Sequence, residues 1–143
     1  MDDIDRKEVR IRPMVSDDIS PTLNIWWASI PEKEMLASQL GGRLDLSLMA
    51  EYSGCLAGFI LARSIYAGLP MTGVGVIFFI AVNPDYQARG IGSMLIETLK
   101  KNCKAQGIRT IRALIPCDDA KTMKYFEKLG FSPSTTMNLD SAV

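Results

Sequence analysis

The sequence predicts a mixed α/β fold, an open sheet that is part antiparallel and part parallel with helices on its faces. Three observations predict it. The run Val74-Gly-Val-Ile-Phe-Phe-Ile-Ala-Val82 is apolar at every alternation, which a strand tolerates when it is covered on both sides. Beyond it, strand-like and helix-like patterns follow one another as strand, helix, strand, helix, strand, an order that favours parallel pairing through right-handed crossovers. Before it, two strand-like segments meet at Ser53-Gly54, a connection short enough only for an antiparallel pair.

The elements can be justified in order. Val9-Arg10-Ile11-Arg12 alternates and is bounded by Pro13, as a short half-buried strand would be. Ser16-Asp17-Asp18 supplies N-cap chemistry for a helix through about Ile30, with Ile19, Leu23, Ile25 and Trp26 available to its inner face. A second short helix is expected after Pro31. Leu46 to Tyr52 and Leu56 to Ile65 are the antiparallel strands, and Val74 to Val82 is the central one. Asn83-Pro84-Asp85-Tyr86 turns the chain, Pro fixing φ while Asn and Asp bond to nearby amides. From Gly90, the residues Ile91, Met94, Leu95, Leu99 and Cys103 recur at helical spacing until Gly107. Ile108 to Ile115 makes a further strand, Asp118 caps a helix carrying Met123, Phe126 and Leu129 on one face, Gly130 ends it, and Phe131 opens a last extended piece.

The 143 residues suit one domain spanning 1–143, since domains cluster at roughly 100 to 150 residues. With 48% hydrophobic and 22% charged residues, the composition excludes a mainly disordered chain and a disulfide-stapled miniprotein. There is no histidine, so a Ser-His-Asp triad, a Cys-His pair, an HExxH zinc site and a two-His iron site are all excluded. Sixteen basic residues balance sixteen acidic ones, so nothing drives the chain generally onto nucleic acid. Seven basic and ten acidic residues precede Asn83, while nine basic and six acidic residues follow from it. The C-terminal half is therefore the better host for an anion. Cys55, Cys103 and Cys117 are odd in number and lack CxxC spacing, which points to reduced thiols, a cytoplasmic location and no thiolate metal site. The start, MDDIDRKEVR, lacks the basic head and apolar stretch of a signal peptide. The uncharged interval between Arg63 and Asp85 is broken by glycines and Pro70, leaving far less than the roughly 20 apolar residues of a membrane helix.

Between the apolar strand and its helix lies Gln87-Ala88-Arg89-Gly90-Ile91-Gly92-Ser93. The first amides of a helix lack internal partners and carry the positive end of the macrodipole. Two glycines one residue apart let that backbone approach an oxygen closely, so successive N–H groups can converge on a phosphate. Arg89 adds a positive charge. A Walker A loop needs a Gly-Lys pair, and the chain has none. A dinucleotide fingerprint needs a third glycine where Leu95 stands. The pattern Q/R-x-x-G-x-G/A remains, met by Gln87, Gly90 and Gly92.

On these residues the sequence resembles the GNAT superfamily of acyl-CoA-dependent N-acyltransferases. IAVNPDYQARGIGSMLIETL is similar to that family's strand, pyrophosphate loop and helix, and DDAKTMKYFEKLGF resembles its later segment ending in G-F. The resemblance implies a largely antiparallel mixed sheet with a central splayed parallel strand pair, flanked by helices on both faces. It also implies acetyl-CoA as co-substrate, with no metal. The pyrophosphate would sit on the amides from Gln87 to Ser93 and the pantetheine arm along Ile80, Ala81 and Val82. Asp119, Thr122 and Lys128 would line the other side. For that geometry the strands at 74–82 and 108–115 must diverge towards their C-terminal ends.

The chemistry is less fully written. A lysine-like amine has a reference pKa near 10.4 and must be neutral to attack a thioester. Family members often use an acid on the central strand and a tyrosine on the later helix. Here Val76, Ile77, Phe78 and Phe79 offer no carboxylate, and the tyrosine position falls on Phe126 with Tyr125 beside it. Tyr125 is the candidate proton donor, with packing at the groove edge as the competing role. A shift of one residue turns a side chain about 100° around a helix. Asp118 reads as a cap and Cys117 as inert. Trp26-Trp27 could wall the acceptor side, and Glu32, Glu34, Asp45 and Glu51 either attract cations there or are solvated surface. The expected activity is transfer of an acetyl group to a primary amine of a small molecule, peptide or protein, directly in a ternary complex. The alternative is a non-catalytic acyl-CoA-binding module. Neither nucleic acid nor membrane is an expected partner, and a homodimer is an assembly that the resemblance allows.

Overall fold

The computed structural model describes residues 8–26, 45–67, 72–87 and 89–143, except the side chains of residues 23–26 and 67. Its elements are β1 (Val9–Pro13), α1 (Ile19–Trp26), β2 (Leu48–Tyr52), β3 (Cys55–Ala67), β4 (Thr72–Val82), α2 (Ile91–Ala105), β5 (Thr110–Ala113) and α3 (Ala120–Lys128). The five strands form one sheet in the order β1-β2-β3-β4-β5. The first three junctions are antiparallel and the last, β4 with β5, is parallel. This is the mixed sheet expected, with the parallel pair at its end among the described strands.

Both faces of the sheet are covered, as alternation on β2 and β3 dictates. Leu48, Ala50, Ile60, Ala62 and Ile77 pack on one face with Ile91, Leu95, Ile96, Leu99 and Cys103 of α2 and Phe126 of α3. Met14, Met49, Phe59 and Leu61 form a smaller core on the other. There the buried Thr22 of α1 directs its hydroxyl to the Met49 sulfur at 4.0 Å. Each fully buried leucine or isoleucine contributes about 1.5–3 kcal/mol, so α2, buried at four such positions and at Cys103, is anchored firmly on this face of the sheet.

Local chemistry differs from expectation in three places. Ser16–Asp18 is a single 3₁₀ turn rather than a helix cap. Asp18 accepts the Val15 amide at 2.8 Å from the end of that turn, and its other task is to take the Arg12 fork at 2.8 Å on both oxygens. The cap of α3 is Asp119 rather than Asp118, because it is the Asp119 carboxylate that accepts the Thr122 amide, at 3.1 Å. The segment from Phe131 onward forms no regular strand. Residues 27–44, with the second predicted helix, Trp27, Glu32 and Glu34, lie outside the described residues, as does Ala88.

Two features of β4 position the site. Its parallel register with β5 runs only from Val74 opposite Thr110 to Ile77 opposite Ala113, although β4 itself continues to Val82. Its antiparallel register with β3 shifts by one residue, Leu61 facing Phe79 and Ala62 facing Ile77. Phe78 is the extra residue, and the strand bends there as a bulged strand does. The expectation that every side chain of this strand is covered therefore fails at the bulge. Phe78 is 50% exposed and Phe79 39% exposed.

Candidate cofactor groove and active site

The loop after β4 is held by its own side chains. The Asn83 amide donates to the Ala57 carbonyl at 2.7 Å, its side-chain nitrogen to the Leu56 carbonyl at 3.3 Å, and its side-chain oxygen accepts the Asp85 amide at 3.1 Å. Gln87 Nε2 donates to the Val82 carbonyl at 3.2 Å, so this glutamine ties the loop to the strand it leaves. Gly90 then adopts φ 82° and ψ 10° as the N-cap of α2, a left-handed conformation that costs an L side chain roughly 1–2 kcal/mol. The first intrahelical bond runs from the Met94 amide to the Gly90 carbonyl at 3.0 Å. Gly90 makes no side-chain cap bond, and the first amides of the helix, those of Ile91, Gly92 and Ser93, stand at the positive end of its dipole.

Beyond Ile77, residues Phe79 to Val82 pair with β3 on one edge, and on the other edge no described strand pairs with them. The parallel pairing ends where β5 itself ends, at Ala113 opposite Ile77. Ile80, Ala81 and Val82 are half-buried and lead from this end of β4 into the loop before α2.

The far wall of the opening is α3. Asp119 Oδ1 accepts the Thr122 amide and Asp119 Oδ2 the Thr122 hydroxyl at 2.7 Å, and these two bonds hold the carboxyl below the usual carboxylate range. The two residues thus satisfy each other at the helix start. Tyr125, 38% exposed, reaches across to α2, and its hydroxyl lies against Gly92 where a Cβ would otherwise stand. Partial burial pushes its pKa upward, so the phenol keeps its proton. Phe126 turns the other way, is 5% exposed and meets Phe131 edge-to-face at 5.1 Å. That contact completes the helix end, where the Phe131 amide bonds to the Phe126 carbonyl at 3.1 Å and the Gly130 amide to the Glu127 carbonyl at 3.1 Å. Gly130 at φ 92° makes this a Schellman closure, the structural content of Lys128-Leu-Gly-Phe131. Lys128 is exposed in the last turn of α3, where a cation suits the helix's negative end.

The acidic candidates divide. Asp118 is exposed in the turn before the cap. Glu51 is taken by Arg12 Nε at 2.8 Å, and Asp45 accepts the Ser64 hydroxyl at 2.6 Å and its amide at 3.0 Å. Cys117 is exposed and unpaired with another cysteine. Among the described residues no group of three or more Cys, Asp or Glu is placed to hold a metal. Sequence reasoning missed the bulge and, with it, Arg63, whose guanidinium lies over the Phe78 ring at 5.1 Å. No signal within β4 marks the bulge, because a strand covered on both faces accommodates adjacent aromatics in regular alternation.

A mixed sheet that parts between its parallel strands beside a glycine-led, uncapped helix start defines the class, an acetyltransferase of the GNAT type. The model of the Acetyltransferase (GNAT) family matches residues 12–131, and the chain belongs to that family. It is 29% identical over 131 residues to an acetyltransferase of Sodalis glossinidius (strain morsitans), covering 86% of this chain and 87% of that one. Among solved structures it resembles AAC(6')-Iy in complex with the bisubstrate analogue CoA-S-monomethyl-acetylneamine, at TM-score 0.75 and 17% identity over 94% of this chain and 98% of the other. It also resembles the ribosomal-protein-S18-alanine N-acetyltransferase of Escherichia coli, at TM-score 0.69 and 25% identity over 89% and 79% of the two chains.

Proposed function

We propose that the protein, as one N-acetyltransferase domain over residues 1–143, moves an acetyl group from acetyl-CoA to a primary amine by direct transfer in a ternary complex. The observation that carries this reading is the glycine-led start of α2, with Gly90 at φ 82° as its N-cap, directly after a strand whose parallel pairing with β5 stops at Ile77 while the strand runs on to Val82. The pantetheine arm adds to that strand's edge along Ile80, Ala81 and Val82, and the diphosphate sits on the amides of Gly90, Ile91, Gly92 and Ser93 with Arg89 beside it. Gln87 serves by fixing the loop, and Asp119 and Thr122 by holding the start of α3.

The thioester then lies where β4 and β5 separate. The neutral amine attacks the thioester carbonyl, the new C–N bond forms, the C–S bond breaks, and the thiolate takes a proton. Tyr125 is the donor: its hydroxyl lies against Gly92 at the start of α2, and a phenol, with a reference pKa of about 10, carries its proton at neutral pH. The ammonium loses its proton to a water held by main-chain groups at the split, since β4 carries no carboxylate. The free thiols of Cys55, Cys103 and Cys117 support a reducing, cytoplasmic setting.

Calorimetry with acetyl-CoA, followed by thiol release with a panel of amines, tests the reading. Saturable binding abolished by Gly92→Glu supports it, and failure to bind at millimolar acetyl-CoA ends it. Tyr125→Phe lowers kcat by about a hundredfold with acetyl-CoA affinity retained, and an unchanged kcat removes Tyr125 from the chemistry. A second reading, an acyl-CoA-binding module without turnover, is favoured by Phe126 at the family's tyrosine position. Turnover at ordinary enzyme rates with any amine excludes it.

A further inference from the structure

The sheet face opposite α2 carries a group of side chains that the acetyl donor does not use. Phe59, Leu61 and Arg63 alternate on that face of β3, and the register sets Arg63 opposite Val76, which in turn stands opposite Arg112 on β5. Directly opposed residues share a face, so Arg63 and Arg112 flank Val76 at the foot of the split. Their Cα atoms are about 10 Å apart by the spacing of two strand intervals, close enough for both long side chains to reach one small anion. Phe78 stands over the same point because of the bulge, with the Arg63 guanidinium 5.1 Å from its ring centroid. Phe79 stacks on Phe59 at 5.8 Å and continues the aromatic surface.

Arg63 Nε is buried and has no hydrogen-bond partner among the described residues. Buried polar atoms are nearly always paired, and an unpaired guanidinium nitrogen calls for an explanation. Arg12, on the same face, shows how the chain treats an arginine with a purely structural task. Its Nε bonds Glu51 and its two terminal nitrogens grip Asp18, each at 2.8 Å. Those bonds also engage Asp18 and Glu51, so neither is left to neutralise Arg63 or Arg112. Among the described residues the face is therefore cationic and aromatic around Val76, and α2 closes the other side.

Resting on the acetyl-transfer reading above, we propose that the acceptor is a primary amine that itself carries a carboxylate on an apolar frame, as an apolar amino acid does. The carboxylate binds the guanidinium groups of Arg63 and Arg112, the apolar part lies on Phe78 and Phe79, and the amine projects into the split towards the thioester. Bidentate guanidinium recognition of a carboxylate fixes orientation as well as affinity. A polycationic acceptor meets like charge at this point.

The test compares phenylalanine, leucine and methionine with their decarboxylated amines, and with spermidine, by thiol release from acetyl-CoA. For at least one amino acid kcat/KM exceeds that of its matched amine by about tenfold or more, the scale of a hydrogen-bonded charge. Arg63→Gln and, separately, Arg112→Gln collapse that ratio while the acetyl-CoA Kd and the rate with the matched amine stay unchanged. Arg112→Gln lies at the end of the sheet and guards against a folding defect in the first variant. Equal or faster transfer to the carboxylate-free amines, or a preference that survives both substitutions, overturns the proposal while leaving acetyl transfer intact. Absence of acetyl-CoA binding removes the donor reading and this one with it.

Discussion

The contact between Tyr125 and Gly92 predicts an energetic coupling between the two helices that bound the groove. A methyl group added at Gly92 would overlap the Tyr125 hydroxyl, and the ring carbon bearing it would be 3.2 Å away, with Ile80 Cδ1 next at 3.9 Å. Replacing glycine by alanine within a helix is worth up to about 1 kcal/mol. Moving the tyrosine ring off its rotamer costs about the same. Gly92→Ala is therefore close to neutral or slightly destabilising in the parent protein. In a Tyr125→Phe background the obstructing oxygen is gone, and the same substitution stabilises by about 0.5–1 kcal/mol. The four proteins form a double-mutant cycle readable by urea unfolding at constant m-value, with an interaction of about 1 kcal/mol. Additivity to within about 0.3 kcal/mol would refute the contact. Calorimetry on the same four proteins separates stability from function, because on the proposed function a methyl on this turn weakens acetyl-CoA in both backgrounds.

Three further outcomes follow from named contacts. The Asp18 carboxyl is held below its ordinary value of 3.8 chiefly by its bond to Arg12, so its stabilisation is complete above that pH and lost as pH falls through the lowered value. Parent and Asp18→Asn unfolding curves thus differ at neutral pH and converge in acid, and a constant difference down to pH 2 would contradict this. Asp119→Ala removes the cap of α3 and costs about 1 kcal/mol in urea unfolding, whereas Asp118→Ala is neutral, and the reverse order would place the cap back at Asp118. Gly90→Ala forces an L residue to positive φ at a cost of about 1–2 kcal/mol, read as a lower midpoint, and an unchanged midpoint would count against the left-handed cap.

The fold was legible where the chain's periodicity and its physical demand coincided. The spacing of Ile91, Leu95, Leu99 and Cys103 gave α2, and its end at Gly107 is closed by the Ile108 amide on the Cys103 carbonyl at 2.8 Å. The loop was legible because few residues besides glycine tolerate the backbone of position 90. The cap of α3 was missed by one residue because two adjacent aspartates carry the same chemistry, and only the bond to Thr122 distinguishes them. The bulge was hidden for a different reason. A strand register is a relation between two segments, and nothing in β4 alone states that Leu61 and Ala62 of β3 face residues two apart. Arg63 acquires meaning only through that relation, since its place beside Phe78 depends on the slipped pairing. The direction of Tyr125 was likewise undetermined until the packing of Phe126 against Phe131 set the rotation of α3.

The half-strand from Phe78 to Val82 also has a cost outside the reaction. Among the described residues the edge of this half-strand away from β3 has no partner strand, and such an edge is a template on which any stray extended peptide can zip. On the proposed function a small molecule lying along this edge acts as a removable guard, so protein freed of acetyl-CoA should form aggregates on storage or warming sooner than protein kept saturated with it.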